Sequence, residues 1–316
     1  MRDVVIIGGG LSGLATAVEL VKYPLDVTLI EVKRHLGGSI QSLQQNQTLL
    51  DTGAFAIANT VNTTWLSSLG LDNSLFELSD EALAFKEGTG QLISAMKQRI
   101  SATRLMRMSV SSIGELADGR YSICMENGLM FDAKSLVLAV PARYAERMFY
   151  GYISPITEKL LDYHYDTIHR VSLVCHSALV PDDIINPPDM AYSFIHRTTN
   201  TSRVPEGYTL LQFGIRIDPQ RLSSDSELVT FVCERFNLPE PISYHVGFWA
   251  EADPISVYDD SHTAWVKSIR AQLPNKIKLI GSDYCLEAPM VRGVNRLNER
   301  VQQGITSAQD IVRLLG

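Results

Sequence analysis

No run in this chain reaches 18 apolar residues, so no segment is expected to span a membrane. Basic residues are not in excess: 28 Lys and Arg stand against 35 Asp and Glu, a formal charge of −7. That balance argues against a nucleic-acid partner, which would favour a basic surface. Cysteine is scarce. Cys124, Cys175, Cys233 and Cys285 have neither metal nor disulfide spacing, as expected of reduced thiols in a cytoplasmic protein. The seven histidines lack ligand spacing too, so no structural metal is expected. Internal repeats and low-complexity tracts are absent. Arg2 before an apolar stretch mimics a signal peptide, but glycines interrupt it and no cleavage site precedes Glu19, so no leader is expected. With 45% hydrophobic and 20% charged residues over 316 positions, a globular protein of about two domains remains.

What the chain does have is concentrated at its start. Val4-Val5-Ile6-Ile7 is a β-branched strand running into Gly8-Gly9-Gly10-Leu11-Ser12-Gly13-Leu14. In such a turn Gly8 permits the tight strand-to-helix reversal, Gly10 lets a pyrophosphate approach the backbone, and Gly13 lets the helix pack closely on the strand. A helix beginning near Leu11 points its unpaired N–H groups and positive dipole end at the phosphates. Glu31 ends a second strand 21 residues after Gly10, the register of a carboxylate that accepts ribose hydroxyls. Together these read as a dinucleotide site.

Residues 3 to 31 are therefore expected as a β-α-β unit: a strand, a helix from about Leu11 to Lys22, a break at Pro24, and a strand to Glu31. Residues 60 to 80 read as short helical pieces, and Gln91 to Ile100 as a helix. Leu105–Ile113, Tyr121–Glu126 and Leu129–Asp132, joined by turns at Asp118-Gly119 and Asn127-Gly128, predict a small antiparallel meander. Ser135 to Val140, closed by Pro141, has the apolar continuity of a buried strand returning to the parallel sheet. Alternating runs such as Val171–Cys175 and Thr209–Phe213 predict an antiparallel sheet over about 150 to 260. Lys276–Ile280 reads as a further buried strand, and a helix from about Asn295 to Leu315 closes the chain.

At this level of detail the sequence resembles the superfamily of flavin-containing amine oxidases, protoporphyrinogen oxidases, phytoene desaturases and renalases. The glycine turn, Glu31 and Leu36-Gly37-Gly38-Ser39-Ile40 look like that family's FAD signature. Gly90-Gln91-Leu92-Ile93, Val110, and Gly281-Ser282-Asp283 with Gly293-Val294-Asn295-Arg296 resemble further family blocks. The segment Phe248-Trp249-Ala250-Glu251-Ala252-Asp253-Pro254 with Tyr258 is similar to protoporphyrinogen oxidases. The resemblance implies an α/β fold, a GR2-type FAD-binding Rossmann-like domain with an inserted α+β substrate domain built on an antiparallel sheet. The expected division is 1–58, 86–148 and 265–316 for the FAD-binding domain, and 59–85 with 149–264 for the substrate domain.

By that resemblance the cofactor contacts are Gly8, Gly10, Leu11, Ser12, Gly13, Glu31, Val32, Lys33, Gly37, Gly38, Ser39, Val110, Gly281, Asp283, Gly293, Val294 and Asn295. Glu31 and Lys33 would serve the adenosine ribose, the Val110 main chain the adenine, Asp283 the ribityl chain, and the helix start near Asn295 the flavin pyrimidine. Departures are visible. Ser39 stands where the family has arginine, Ser282 separates the glycine from the aspartate, and the section from Gly53 to Gly88 is short. The shortness brings a renalase-like architecture into contention. Phe248 and Trp249 read either as a pocket wall or as core packing. Arg143, Arg292 and Arg296 read as clamps on an anionic substrate or as ordinary ion pairs. Lys159 and Lys267 read as surface charges, Cys285 as a small buried residue, and no catalytic residue is assigned.

The activity implied is FAD-dependent oxidation of a C–N or C–C bond in a small or medium organic substrate, with hydride transfer to the flavin and oxygen or another acceptor taking the electrons. The alternatives are a renalase-like oxidase of reduced nicotinamides, a nicotinamide enzyme using the first unit alone, and a flavin-binding protein without turnover.

Overall fold

In a computed structural model, residues 1–53, 55–59, 63–80, 82–184, 192–216, 224–252, 260–286 and 297–316 are described. In chain order their strands and helices begin with β1 (Arg2–Ile7), α1 (Leu11–Leu20), β2 (Val27–Glu31), β3 (Ser42–Gln45), β4 (Thr48–Asp51), β5 (Ala56–Ala58), β6 (Leu75–Ser79) and β7 (Ala82–Phe85). They continue with α2 (Gly90–Arg99), β8 (Thr103–Met106), β9 (Val110–Glu115), β10 (Tyr121–Met125), β11 (Met130–Leu138), α3 (Ala142–Phe149) and α4 (Ser154–Leu161). The remainder are β12 (Asp166–His176), β13 (Tyr192–Thr198), β14 (Tyr208–Ile215), α5 (Asp225–Arg235), β15 (Ser243–Ala252), α6 (Asp260–Arg270), β16 (Ile277–Leu279) and α7 (Leu297–Leu315).

The expected β-α-β unit is β1, α1 and β2, with β1 and β2 parallel. The pleat of β1 divides the core in two, because successive side chains leave a strand on opposite faces. Val4 and Ile6 join a cluster with Leu11, Leu14 and the C-terminal helix residues Val301, Ala308 and Ile311. Val5 and Ile7 join another with Ala145, Phe149, Ile156 and Ile269 from α3, α4 and α6. Helices thus cover both faces of the sheet, as an open parallel sheet requires. α1 and α7 pack closely because a Cβ on Gly304 would lie 2.6 Å from the Ser12 carbonyl oxygen.

The main sheet runs β8-β2-β1-β11-β10-β9, with β16 also on β11. Four readings from sequence are corrected here. Leu105–Ile113 is not one strand: β8 pairs parallel with β2, Arg107 then takes φ +57°, and β9 begins afresh at Val110. Leu129–Asp132 and Ser135–Val140 are not two strands but largely one, β11, whose far edge changes partner from β10 to β16 midway. The meander therefore belongs to the same sheet as the parallel strands. Finally, 60–80 is only partly helical: Thr64–Leu69 forms a 3-10 turn that buries Trp65, Leu66 and Leu69, whereas Leu75–Ser79 is a strand.

A four-stranded antiparallel sheet, β13-β14-β12-β15, fills the middle of the chain as expected. One face packs on α5 through Val171, Leu173, Phe213, Leu228 and Val232. The other face meets β4 through Leu50, Val174, Val204 and Leu210. Two small sheets complete the fold, β3-β4 and β5-β7-β6. No helix among the described residues is long and apolar enough to cross a membrane.

Candidate functional site

The site is built where β1 and β2 end and α1 begins. Gly8 sits at φ +102°, and a Cβ there would overlap the Ala139 carbonyl oxygen, so the turn tolerates no larger residue. A Cβ on Gly13 would overlap the Gly8 carbonyl oxygen, which explains how the helix lies so close to the strand end. Gly10 is different: nothing lies within 4 Å of where its Cβ would be. It precedes the first turn of α1, which has no side-chain cap and no acidic residue. Leu11 and Ser12 open that turn, and the buried Ser12 hydroxyl has no hydrogen-bond partner.

Glu31 is 5% exposed and reaches back to the turn. Its Oε2 accepts the Gly9 N–H and its Oε1 the Lys33 N–H, each at 2.7 Å. The Val32 and Lys33 side chains are exposed beside it. The Gly37-Gly38 loop folds onto the same place. The Gly37 N–H donates to the Gly9 carbonyl at 2.8 Å, and a Cβ on Gly38 would lie 3.3 Å from Gly10 Cα. Both glycines have positive φ, +110° and +64°. The Ser39 side chain is exposed, while its backbone packs against Gly53. Val110 is buried just past a segment hydrogen-bonded to the β2 end, where the Met108 N–H donates to the Glu31 carbonyl.

The C-terminal block approaches from β16. The Gly281 N–H donates to Gln303 Oε1 at 2.9 Å. Asp283, 3% exposed, accepts the Ala142 N–H at 2.8 Å and the Tyr165 hydroxyl at 2.5 Å on Oδ2, and the Ser282 hydroxyl on Oδ1. Its carboxylate therefore holds the start of α3. Arg143, next in α3, lies exposed over the rings of Tyr144 and Tyr165. Gly293, Val294 and Asn295, with Arg292 and Arg296, lie outside the described residues.

The aromatic pair on β15 is separated by the strand pleat. Phe248 stands opposite His169, its ring 5.2 Å away, on the α5 side of the sheet and 56% exposed. Trp249 falls on the other face, where the Arg170 guanidinium lies 5.3 Å from its ring. Phe248 and Trp249 therefore do not form one shared wall, since adjacent strand residues face opposite ways.

That inner face carries residues the sequence reading missed. His196, Gln212, Ser172 and His245 lie opposite one another across the four strands, with the first three buried. Above this row Arg170, 2% exposed, donates to the Asp51 and Gly53 carbonyls and lies 4.5 Å from the Phe55 ring. Burial weakens the protonated form of Arg170, nearby Asp51 supports it, and Arg203 opposes it. Asp51 is the hub: Arg203 reaches its Oδ2 at 2.7 Å, and the Ser42 hydroxyl and Thr89 N–H reach its Oδ1. The only sequence signal was Leu50-Asp51-Thr52-Gly53, an acidic residue inside an apolar strand end.

Among the described residues no cluster of three or more His, Cys, Asp or Glu is placed to hold a metal. A groove of about 420 Å³ between β16 and α7, lined by Arg270, Lys278, Glu299 and Asp310 among others, shares no residue with the glycine loops.

Residues 6–69 match the family described as an NAD(P)-binding Rossmann-like domain. A protein of Drosophila melanogaster described as "Possible lysine-specific histone demethylase 1" is 35% identical over 57 residues, which is 18% of this chain and 6% of that protein's length. Solved structures match over nearly the whole chain. A candidate protoporphyrinogen oxidase from Exiguobacterium sp. 255-15 superposes with a TM-score of 0.74 at 14% identity, covering 98% of both chains. Putrescine oxidase bound to putrescine gives 0.68 at 15% identity, covering 99% of both. A redesigned variant of putrescine oxidase gives 0.73 at 15%, again covering 99% of both. At such identities the likeness establishes the fold: a Rossmann-like α/β unit joined to antiparallel sheets, arranged as in these oxidases.

Proposed function

We propose that the chain is an FAD-dependent oxidoreductase that oxidises a C–N or C–C bond of a small organic substrate. The observation that carries this reading is the open approach at Gly10, ringed by the start of α1, Glu31 and the Gly37-Gly38 loop. These residues fit the dinucleotide: backbone N–H groups and the unpartnered Ser12 hydroxyl face a pyrophosphate, and Glu31 retains lone pairs for ribose hydroxyls. The Val110 main chain would serve adenine and Asp283 the ribityl hydroxyls, with Gly281 in the same block and Gly293–Asn295 beyond the described residues. We assign the segments 59–85 and 149–264 to the substrate side. Bound FAD would supply the hydride acceptor, the chemistry that no side chain here provides. The protein's own part is to orient the donor beneath the inner face of the four-stranded sheet, where the Phe55 and Trp249 rings flank the Arg170 guanidinium.

The match described as NAD(P)-binding supports a second reading, use of a reduced nicotinamide as donor or ligand. One experiment separates the readings: visible absorbance of the purified chain, reconstitution with FAD after unfolding, then anaerobic addition of amines, porphyrinogen and NADH. Flavin bleached by one donor class is the expected result. Flavin that no donor bleaches would make the protein a carrier, and a chain that takes up no FAD would overturn the proposal.

The pleat of β15 makes a further prediction. Trp249→Ala should raise KM for the active donor about tenfold, a loss of roughly 1.4 kcal/mol, whereas Phe248→Ala should leave it unchanged. Equal effects of the two substitutions would contradict the assignment of the substrate to the inner face.

A further inference from the structure

Tyr165 immediately precedes β12, the strand that opens the four-stranded sheet. It is 118 residues away in sequence from Asp283, yet its hydroxyl donates to Asp283 Oδ2 at 2.5 Å. The Ala142 N–H reaches the same oxygen at 2.8 Å. A carboxylate rotates easily about its last torsion, so one bond would leave its plane loosely set. Two donors from different elements, the start of α3 and the root of the sheet, fix it. The Ser282 hydroxyl donates to the other oxygen, Oδ1. The phenol is itself held. Its ring meets Tyr163 edge-on with centroids 4.9 Å apart, the Arg143 guanidinium lies 5.6 Å above it, and the Arg143 N–H donates to its oxygen at 3.4 Å.

We infer that Tyr165 is a positioning residue: it presents the Asp283 carboxylate to the ribityl hydroxyls of the cofactor and makes that presentation depend on the seating of the four-stranded sheet. This inference rests on the FAD reading above. Arg143 acts in it through Tyr165, as a support for the ring and for the phenol oxygen. The adenosine half of the cofactor, at Glu31 and Val110, lies outside this chain of contacts, and that separation provides the test.

Affinities for FAD and for ADP, which engages only the adenosine half, would be measured by fluorescence on the apoprotein of the wild type, Tyr165→Phe, Asp283→Asn and the double variant. Tyr165→Phe should weaken FAD about tenfold and leave ADP within about twofold, because a hydrogen bond to a charged group is lost while the ring stays. Asp283→Asn should show the same selective loss, and the double variant should bind FAD within about twofold of Asp283→Asn alone, since the phenol acts only through the carboxylate. If Asp283→Asn weakens FAD but Tyr165→Phe does not, Tyr165 has no positioning role while the cofactor reading stands. Equal loss of FAD and ADP in Tyr165→Phe, or additive losses in the double variant, would make its role purely structural and overturn the inference. FAD affinity unchanged in Asp283→Asn would remove the premise, the cofactor contact of the C-terminal block.

Discussion

Gly13→Ala should lower the melting temperature by roughly 5 °C, while Gly10→Ala should leave it in place and instead weaken FAD binding at least tenfold. Alanine in a helix normally gains about 1 kcal/mol over glycine. At Gly13 that gain is outweighed, because the new Cβ would overlap the Gly8 carbonyl oxygen, and backbone cannot swing aside as a side chain would. Overpacking of this kind costs about 1–3 kcal/mol, sometimes more, and each kcal/mol is worth about 2–4 °C in a chain of this size class. At Gly10 the geometry reverses. The backbone has φ −72° and ψ −175°, which alanine adopts freely, and nothing lies within 4 Å of the added methyl. Whatever that methyl obstructs is a ligand. Thermal melts of the two apoproteins with FAD titrations check both halves. A Gly10→Ala protein that binds FAD as tightly as wild type would remove the pyrophosphate from this turn.

Asp51→Ala should be the most destabilising single change at the junction of the sheets, about 3–5 kcal/mol. Asp51 and Arg203 form an ion pair at 2.7 Å with side chains 0% and 2% exposed. Removing one partner of a buried pair leaves the other charge uncompensated, which is where that cost arises. The Thr89 N–H and the Ser42 hydroxyl would lose their acceptor as well. Against a total stability of about 5–15 kcal/mol, a loss of this size should lower the melting temperature by roughly 10 °C or more. Asp51→Asn keeps an acceptor for Thr89 and should fall between. Pairing Asp51→Asn with Arg203→Met should recover part of the loss, because the Arg203 charge, which also opposes that of buried Arg170, is then gone. If Asp51→Ala melts within about 2 °C of wild type, the pair does not hold the junction.

The readings that survived from sequence are those whose causes lie within a few tens of residues. The β-branched run Val4–Ile7, three placed glycines and Glu31 make a β-α-β unit by local periodicity and turn geometry, and β1, α1 and β2 appear almost at the expected bounds. The β-favouring runs Val171–Cys175 and Thr209–Phe213 lie in β12 and β14, which pair antiparallel as expected. Errors came where strand chemistry was right but the partner was unknown. Leu105–Ile113 is β-favouring throughout, yet the Arg107 and Met108 N–H groups bond to the Lys33 and Glu31 carbonyls and turn the chain out of one pairing into another. No local signal marks that switch. In β11 the residue pattern breaks into two runs at the polar Asp132–Lys134 stretch, yet the strand continues through it because β1 pairs along it while the far edge passes from β10 to β16.

By itself, then, the sequence determined the cofactor-type turn, the alternation of parallel and antiparallel strands, and the residues gathered at the ends of β1 and β2, because backbone conformation and side-chain period are local properties. Only the tertiary structure decided that Trp249 turns inward while Phe248 turns out, that Asp51 meets Arg203 152 residues later, and that Tyr165 holds Asp283. Those outcomes depend on which face of a sheet lands on which loop. That choice depends on long-range pairing of buried polar groups and leaves no trace in any one segment.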